Sequence, residues 1–235
     1  MSLAPDLQYD TYRTLIVLPC QPMIGPSIPQ PALRGRPRSE RSHRAILDAA
    51  NELLEERGFV DLTIDEVAQR AKVSKSTIYR RWSTKGTLAF EAFSASFLAR
   101  QPLPSTGSLR GDLLAALRSW IRVVKGTVTG RTLVGLIAEV QRDPELAQIW
   151  HERFLGPVRS QHRIVVERAV DRGEISPEVD PDIVLDLLYG AAYHRLLQSH
   201  LPLSDRFAQA VVDTVVTGVQ SNHARSGSDN NAKEA

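Results

Sequence analysis

The segment TIDEVAQRAKVSKSTIYRRW, residues 63–82, constrains the fold of this chain more than any other. It opens with Thr63 followed three residues later by a glutamate, the pattern of a helix N-terminal capping box. Apolar residues then recur at helical spacing up to Ala71. Ser74 can cap a second short helix, which would bury Ile78 and Trp82 one turn apart. Two short helices joined by a tight turn predict a helix-turn-helix motif.

The same segment concentrates positive charge. Residues 72–85 include five cationic side chains and no acidic one. Over residues 34–85 there are 12 basic and 8 acidic residues, a net charge of +4, whereas the whole chain has a formal net charge of only +2. A basic region in a nearly neutral chain indicates a polyanionic partner such as DNA, with a merely solvated surface as the alternative. Ile78 and Trp82 would then hold the second helix to its domain while the cations face phosphates.

The rest of the chain is predicted to be helical, which makes the protein all-α. A helix from Ser39 precedes the motif and completes a three-helix N-terminal domain. A long helix over residues 144–172 is expected to bend at Gly156 and Pro157, because proline removes a backbone donor. We expect an irregular N-terminal tail (1–33), a helix-turn-helix domain with a basic arm (34–90), a second helical domain (91–222) and a disordered C-terminal tail (223–235).

Composition and motifs argue against other classes of protein. The single cysteine, Cys20, can form no intramolecular disulfide and favours a reducing compartment. No apolar run approaches the roughly 18 residues of a membrane span, so we expect a cytoplasmic protein with no membrane partner. Glycine-rich nucleotide loops, the nucleophile elbow and the zinc-protease motif are absent from the sequence. We therefore predict no enzymatic activity, no catalytic residue, no cofactor and no metal.

Four stretches together resemble the TetR family of bacterial transcriptional regulators: GRPR, RAILDAANELLEERGF, LTIDEVAQRAKVSKSTIYRRW and STKGTL. The resemblance is close over residues 36–88 and looser over the later helices. It implies a homodimeric repressor that binds double-stranded DNA at a palindromic operator and is released by a small, apolar effector. Residues 91–222 would then bind the effector and form the dimer. An architectural DNA binder is the alternative, but it would leave this large region without a role.

The resemblance also assigns DNA contacts to particular residues. Residues at the start of the second helix of the motif would contact base edges. Residues at helix ends and in the basic arm would contact phosphates. The implied DNA-binding residues are Arg36, Arg38, Thr63, Lys75, Ser76, Thr77, Tyr79, Arg81 and Lys85.

Three positions depart from the family pattern. Lys72 stands where a turn glycine is common, which implies a backbone cost. Arg81 and Trp82 replace the more usual histidine and phenylalanine. The arm RGRPR, residues 34–38, is similar to the core of an AT-hook. Insertion of the arm into a minor groove and simple solvation of the arm both stay open.

The later helices carry two further sets of candidate residues. By resemblance, the last two helices form the dimer interface, where small residues allow close approach. The predicted interface residues are Leu188, Ala191, Leu196, Val211, Val215 and Val219. Apolar side chains from several helices are expected to surround the effector, with ordinary core packing as the alternative for each. The predicted effector-binding residues are Trp120, Leu136, Val140, Trp150, Phe154 and Tyr193. His151 or Tyr193 would supply polar groups.

Overall fold

The computed structural model describes residues 36–101 and 103–231, with side chains described for 39–101 and 103–220. This part of the chain contains helices and no strand, which confirms the all-α prediction. A π-helical turn, His151–Leu155, separates two of the helices. The α-helices are α1 (Arg36–Arg57), α2 (Ile64–Arg70), α3 (Lys75–Tyr79), α4 (Lys85–Ala99), α5 (Leu109–Val124), α6 (Val128–Val140), α7 (Pro144–Trp150), α8 (Gly156–Asp171), α9 (Pro181–Gln198) and α10 (Asp205–Asn231).

The first three helices form the predicted helix-turn-helix around a small apolar core. Ile46 of α1 and Ile78 of α3 are fully buried in it. α2 begins after Thr63, whose hydroxyl accepts a hydrogen bond from the backbone N–H of Glu66, as the sequence predicts. α3 begins after Ser74 and is only five residues long. So short a helix is held by its buried side chains, since an isolated helix of this length is unstable.

The later helices pack around α5. This helix contacts α6, α8, α9 and α10, and its buried residues recur about once per turn. Those residues include Leu109, Leu113, Leu117 and Trp120. Serine, threonine and aspartate side chains cap several of these helices, as is usual at helix N-termini. The caps are Ser108, Thr127, Asp143 and Asp180. Within the described residues, no helix is both long and apolar enough to cross a membrane.

The long helix predicted over residues 144–172 is divided by the π-helical turn. The N–H of Gly156 donates to the carbonyl of His151, five residues earlier. Pro157 has no N–H, and its ring would crowd the carbonyl of the preceding turn in a regular α-helix. The wider turn accommodates it. The irregularity therefore lies where the bend is expected, and it takes the form of a π-helical turn.

The outer boundaries differ from the prediction. α1 begins at Arg36 rather than Ser39, so part of the basic arm is helical. α10 continues to Asn231, into the segment predicted as a disordered tail. That segment contains no proline to stop a helix. The predicted N-terminal tail, residues 1–33, lies outside the described residues.

Candidate nucleic-acid interface

The first turn of α3 presents the polar side chains predicted to read bases. Lys75 and Ser76 are exposed and Thr77 is half-buried. The Ser74 hydroxyl lies 2.9 Å from the hydroxyls of both Ser76 and Thr77. Since hydroxyls can donate and accept, this group can bond either base edges or phosphate oxygens. Ile78 holds the opposite face of the helix in the core.

Lys75 forms an ion pair with α2. Its ammonium lies 2.6 Å from Oδ1 of Asp65, and both side chains are more than half exposed. The hydrogen bond that Lys75 donates to the Asp65 carboxylate raises the pKa of Lys75, which keeps the ammonium charged. Exposed ion pairs are weak and are screened by salt. Lys75 can therefore leave Asp65 for a DNA acceptor at little cost.

The other end of α3 carries two predicted phosphate contacts. Tyr79 is 53% exposed, which leaves its hydroxyl accessible. Arg81 donates through Nη2 to the backbone carbonyl of Ser39 at 2.9 Å, and also to the Ser39 hydroxyl. Arg81, just after α3, thereby joins the end of α3 to the first turn of α1. A guanidinium has five N–H donors, so several remain for a phosphate.

Trp82 fixes the end of the motif through polar and stacking contacts. It is 4% exposed. Its indole N–H donates to Oε2 of Glu91 at 2.8 Å, and its ring stacks on His43 with centroids 5.2 Å apart. Nε2 of His43 lies 3.3 Å from the other oxygen of Glu91. The phenylalanine usual in the resembled family has no N–H for Glu91, so tryptophan adds a link between α1 and α4.

The Lys85 ammonium is held at the start of α4. It donates to the carbonyl oxygens of Phe59 at 3.2 Å and Val60 at 3.3 Å. It also lies 4.6 Å from the centroid of the Phe59 ring, a cation–π contact. An ammonium has three donors. One N–H is therefore left for the phosphate contact that the sequence predicts.

Two further positions flank α2. Thr63 caps the helix and donates to Oε2 of Glu66 at 2.9 Å. Lys72, in the turn before α3, has a φ of 54°. This left-handed conformation costs a residue with a Cβ atom about 1 kcal/mol. The backbone cost expected at Lys72 is therefore present in the structure.

The intramolecular partners of the predicted residues are not evident from the sequence. The charge of Asp65 is visible in TIDE, but its pairing with Lys75 depends on the angle between α2 and α3. A backbone carbonyl leaves no signal in the sequence, and both Ser39 and Phe59 use one to bind a cation. Arg36 and Arg38 lie in the first turn of α1, and their side chains are outside the described set. Their DNA contacts stay predictions.

The predicted effector-binding residues fall into two aromatic groups. In the first, Trp150 and Phe154 pack on α4. Their ring centroids lie 4.6 Å apart, and Phe154 lies 5.6 Å from Phe97 and 6.4 Å from Phe93. The phenylalanines of α4 were missed as members of this group. The remaining apolar candidates, on α6, are buried; they are Leu136 and Val140.

The second group surrounds Trp120. Its ring lies 5.0 Å from Tyr193 and 6.4 Å from Tyr189, and His162 meets Tyr189 edge-on at 5.5 Å. Burial raises the pKa of Tyr193 to about 12 and lowers that of His162. Both side chains are therefore neutral polar groups in an apolar interior. His151, which the sequence also suggested as a polar group, is exposed.

An apolar groove of about 1060 Å³ runs between α9 and α10 and is here called the α9–α10 groove. Four predicted interface residues line it: Ala191, Val211, Val215 and Val219. Ile183 and Leu187, which are not among the predicted interface residues, line it as well. None of the six predicted effector-binding residues lines this groove.

Two predicted interface residues do not line the α9–α10 groove. Leu188 has no exposed surface, so the structure places it in the core of its own subunit. The reason is geometric, because Leu187 and Leu188 point about 100° apart on a helix and only Leu187 faces outward. Leu196 is half-buried and packs against the same core.

Two family models match the chain. The model described as "Bacterial regulatory proteins, tetR family" matches residues 46–92. The model described as "Tetracyclin repressor-like, C-terminal domain" matches residues 103–215. The first match contains α2, α3 and the start of α4, and the second contains the aromatic group around Trp120, Trp150 and Phe154 of the other group, and most of the α9–α10 groove.

Individual proteins give the same assignment. The HTH-type transcriptional regulator YdeS of Bacillus subtilis is 37% identical over 191 residues, covering 81% of this chain and 96% of YdeS. The DNA-binding transcriptional repressor TetR of Mycobacteroides abscessus is 34% identical, covering 76% and 94%. The crystal structure of the TetR family transcription regulator SCO0332 has a TM-score of 0.68 at 36% identity, covering 76% and 98%. The chain therefore belongs to the TetR family and is a DNA-binding transcriptional regulator.

Proposed function

We propose that this protein is a ligand-responsive, homodimeric repressor that binds an inverted-repeat operator. The observation that carries the proposal is the first turn of α3, where Lys75 and Ser76 are exposed and Thr77 is half-exposed beside them while Ile78 anchors the helix. Such a turn can enter a major groove and reach base edges. Repression is supported by the relative from Mycobacteroides abscessus, a DNA-binding transcriptional repressor that is 34% identical.

Two observations support the proposed dimer. They are the shortness of α3, the helix proposed to contact the bases, and the α9–α10 groove. A single short helix contacts few base pairs, so two-fold pairing is the usual route to specificity, with half-sites about one helical turn apart. The groove is apolar, and Ile183 and Leu187 at its edge are each 55% exposed. A second copy of the chain would cover these side chains with the same surface, as a two-fold interface requires.

The effector is proposed to bind in the second domain, between or within the two aromatic groups. Their surfaces are apolar, with Tyr193 and His162 as neutral polar groups, so the ligand would be apolar with a few hydrogen-bonding atoms. FadR from Bacillus subtilis, solved in complex with stearoyl-CoA, shares the fold (TM-score 0.57, 19% identity, covering 75% of this chain and 99% of FadR). To release DNA, the effector must bind the DNA-incompetent arrangement more tightly than the competent one.

Selection from a random pool of duplexes tests the operator proposal. Purified protein should enrich inverted repeats whose half-site centres lie about one helical turn apart. Light scattering of the complex should give an even number of subunits on each duplex. Enrichment of sequences without two-fold symmetry, or a complex with one subunit, would contradict the proposal.

A thermal-shift screen of hydrophobic small molecules tests the effector proposal. Compounds that stabilise the free protein should also weaken operator binding. Tyr193→Phe removes one buried hydroxyl and should weaken binding of the compounds that hydrogen-bond to it. His151→Asn alters an exposed side chain on the same domain and serves as the matched control. If stabilising compounds never change DNA affinity, the ligand-responsive part of the proposal is wrong.

A further inference from the structure

One face of α6 packs against two residues near Lys85. These are Phe59, which contacts the Lys85 ammonium, and Gly86, which follows Lys85 in the chain. Gly135 and Glu139 are four residues apart on α6 and so share a face. A methyl group at Gly135 would lie 2.9 Å from Cδ1 and 3.1 Å from Cβ of Phe59. A methyl group at Gly86 would lie 3.3 Å from Cγ of Glu139. α6 therefore touches both Phe59, which holds the Lys85 ammonium, and Gly86, the next residue in the chain.

The contact at Gly135 leaves no room for a larger side chain. Carbon atoms in ordinary van der Waals contact are about 3.5–4.0 Å apart, so even alanine would push the Phe59 ring. Phe59 is only 6% exposed and cannot swing freely into solvent. Its ring and its carbonyl both hold Lys85. Displacing Phe59 would therefore displace the ammonium.

We infer that Phe59 is a positioning residue for the Lys85 ammonium and that α6 fixes Phe59 through Gly135. The inference rests on the proposed function, in which the remaining N–H of Lys85 binds a DNA phosphate. Two of the three ammonium donors are occupied by carbonyls of the turn after α1, so the direction of the third is set by that turn. A displacement of α6 would redirect it.

This arrangement connects the second domain to a DNA contact by a short path. Leu136 and Val140, two of the predicted effector-binding residues, follow Gly135 and Glu139 directly on α6. A ligand that moves these side chains moves the face that supports Phe59. The path runs through the turn after α1, and it is additional to any route through α4 itself.

Gly135→Ala tests the inference, with a short duplex of random sequence as the probe. Each phosphate contact contributes about 0.9 to the slope of log affinity against log salt concentration. Lys85→Ala should reduce the slope by about 0.9 and weaken binding roughly tenfold at about 0.1 M salt. Gly135→Ala should produce most of the same loss. The double variant should bind no more weakly than Lys85→Ala alone.

Two further variants complete the experiment. Ala138→Val adds volume on the exposed face of the same helix and should leave both slope and affinity unchanged. Phe59→Leu keeps an apolar side chain but removes the ring over Lys85, and it should lower the slope like Gly135→Ala. Circular dichroism identifies variants that fail to fold. If Gly135→Ala does not fold, Phe59→Leu tests the inference instead, and its salt slope and affinity are compared with those of Lys85→Ala in the same way.

The outcomes separate the inference from the function on which it rests. An unchanged slope in Lys85→Ala would remove the Lys85 phosphate contact from the proposed function, and the inference with it. A reduced slope in Lys85→Ala but not in Gly135→Ala or Phe59→Leu would overturn the inference alone. The inference would also be overturned if the double variant lost as much DNA affinity as the two single variants together.

Discussion

Ile183 and Leu187 lie one turn apart on the same face of α9, and each side chain is 55% exposed. Both line the α9–α10 groove beside Val211 and Val215. Two large apolar side chains exposed next to an apolar groove indicate an interaction surface. The proposed homodimer would bury them.

Ile183→Asp should convert the protein to a monomer. A carboxylate in an apolar interface is costly to bury, whereas in the separate subunit the same side chain is largely hydrated. Light scattering should therefore report half the mass at micromolar concentration, and operator affinity should fall by orders of magnitude. Val60→Asp, at a position 76% exposed and outside the groove, should leave the dimer intact. Val215 is unsuitable because it is 5% exposed and supports its own subunit. If the Ile183→Asp variant stays dimeric, the α9–α10 groove is not the dimer interface.

Lys72→Gly should stabilise the fold. The φ of 54° at this position is unfavourable for lysine and neutral for glycine. We expect a gain of about 0.5 kcal/mol in the free energy of unfolding, after allowing for the greater freedom of glycine in the unfolded chain. Urea denaturation measures it. Lys72→Ala removes the same charge but keeps Cβ, so it should show no such gain. Equal gains in the two variants would mean that charge, not backbone conformation, is responsible.

Asp65→Asn should strengthen binding to DNA of any sequence. The substitution removes a negative charge from the surface that we propose faces the DNA, and it frees Lys75 from its partner. We expect an increase of about threefold at low salt that shrinks as salt rises, because exposed charges are screened. Fluorescence anisotropy with a random duplex measures the change. Weaker binding of the variant at low salt would show that Asp65 instead holds Lys75 in its DNA-binding position.

His162 should make stability depend on pH. Burial lowers the pKa of His162 from its ordinary 6.5, so the unfolded state takes up a proton before the folded state does. Its contribution is therefore fully present above pH 6.5 and is lost as pH falls below it. Urea denaturation between neutral pH and pH about 5 should show this loss. His162→Phe should reduce the dependence of the free energy of unfolding on pH. Equal slopes in the wild type and His162→Phe would contradict this account of His162.

The elements of the fold were predictable because their signals are local. Thr63 with Glu66, and the spacing of Ile78 and Trp82, define α2 and α3 without reference to the rest of the chain. Proline at position 157 marks the irregular turn, although its π-helical form depends on neighbouring packing. The helical extent of α10 was not predictable, because residues 223–231 are polar and lack helical periodicity.

The sequence predicts which residues belong to the site, but not the contacts that hold those residues in place. The residues predicted from the family motif lie in the first turn of α1 and in or beside α2, α3 and α4. The partners of several of them come from distant parts of the chain. Arg81 with Ser39 and Lys85 with Phe59 are separated by 42 and 26 residues. The division of the aromatic residues around Trp120 and Phe154 likewise depends on how the helices pack. Periodicity shows that a side chain is inward, not which neighbours it meets.

The most direct test of the account compares operator and scrambled DNA in the same anisotropy titration. The operator is the sequence recovered by selection, and the proteins are the wild type and Lys75→Ala. If the first turn of α3 reads bases, Lys75→Ala should lower the ratio of the two affinities about tenfold or more, because a good base contact discriminates by that amount. Affinity for scrambled DNA should fall much less. Identical operator-to-scrambled ratios in the two proteins would contradict base reading by this turn.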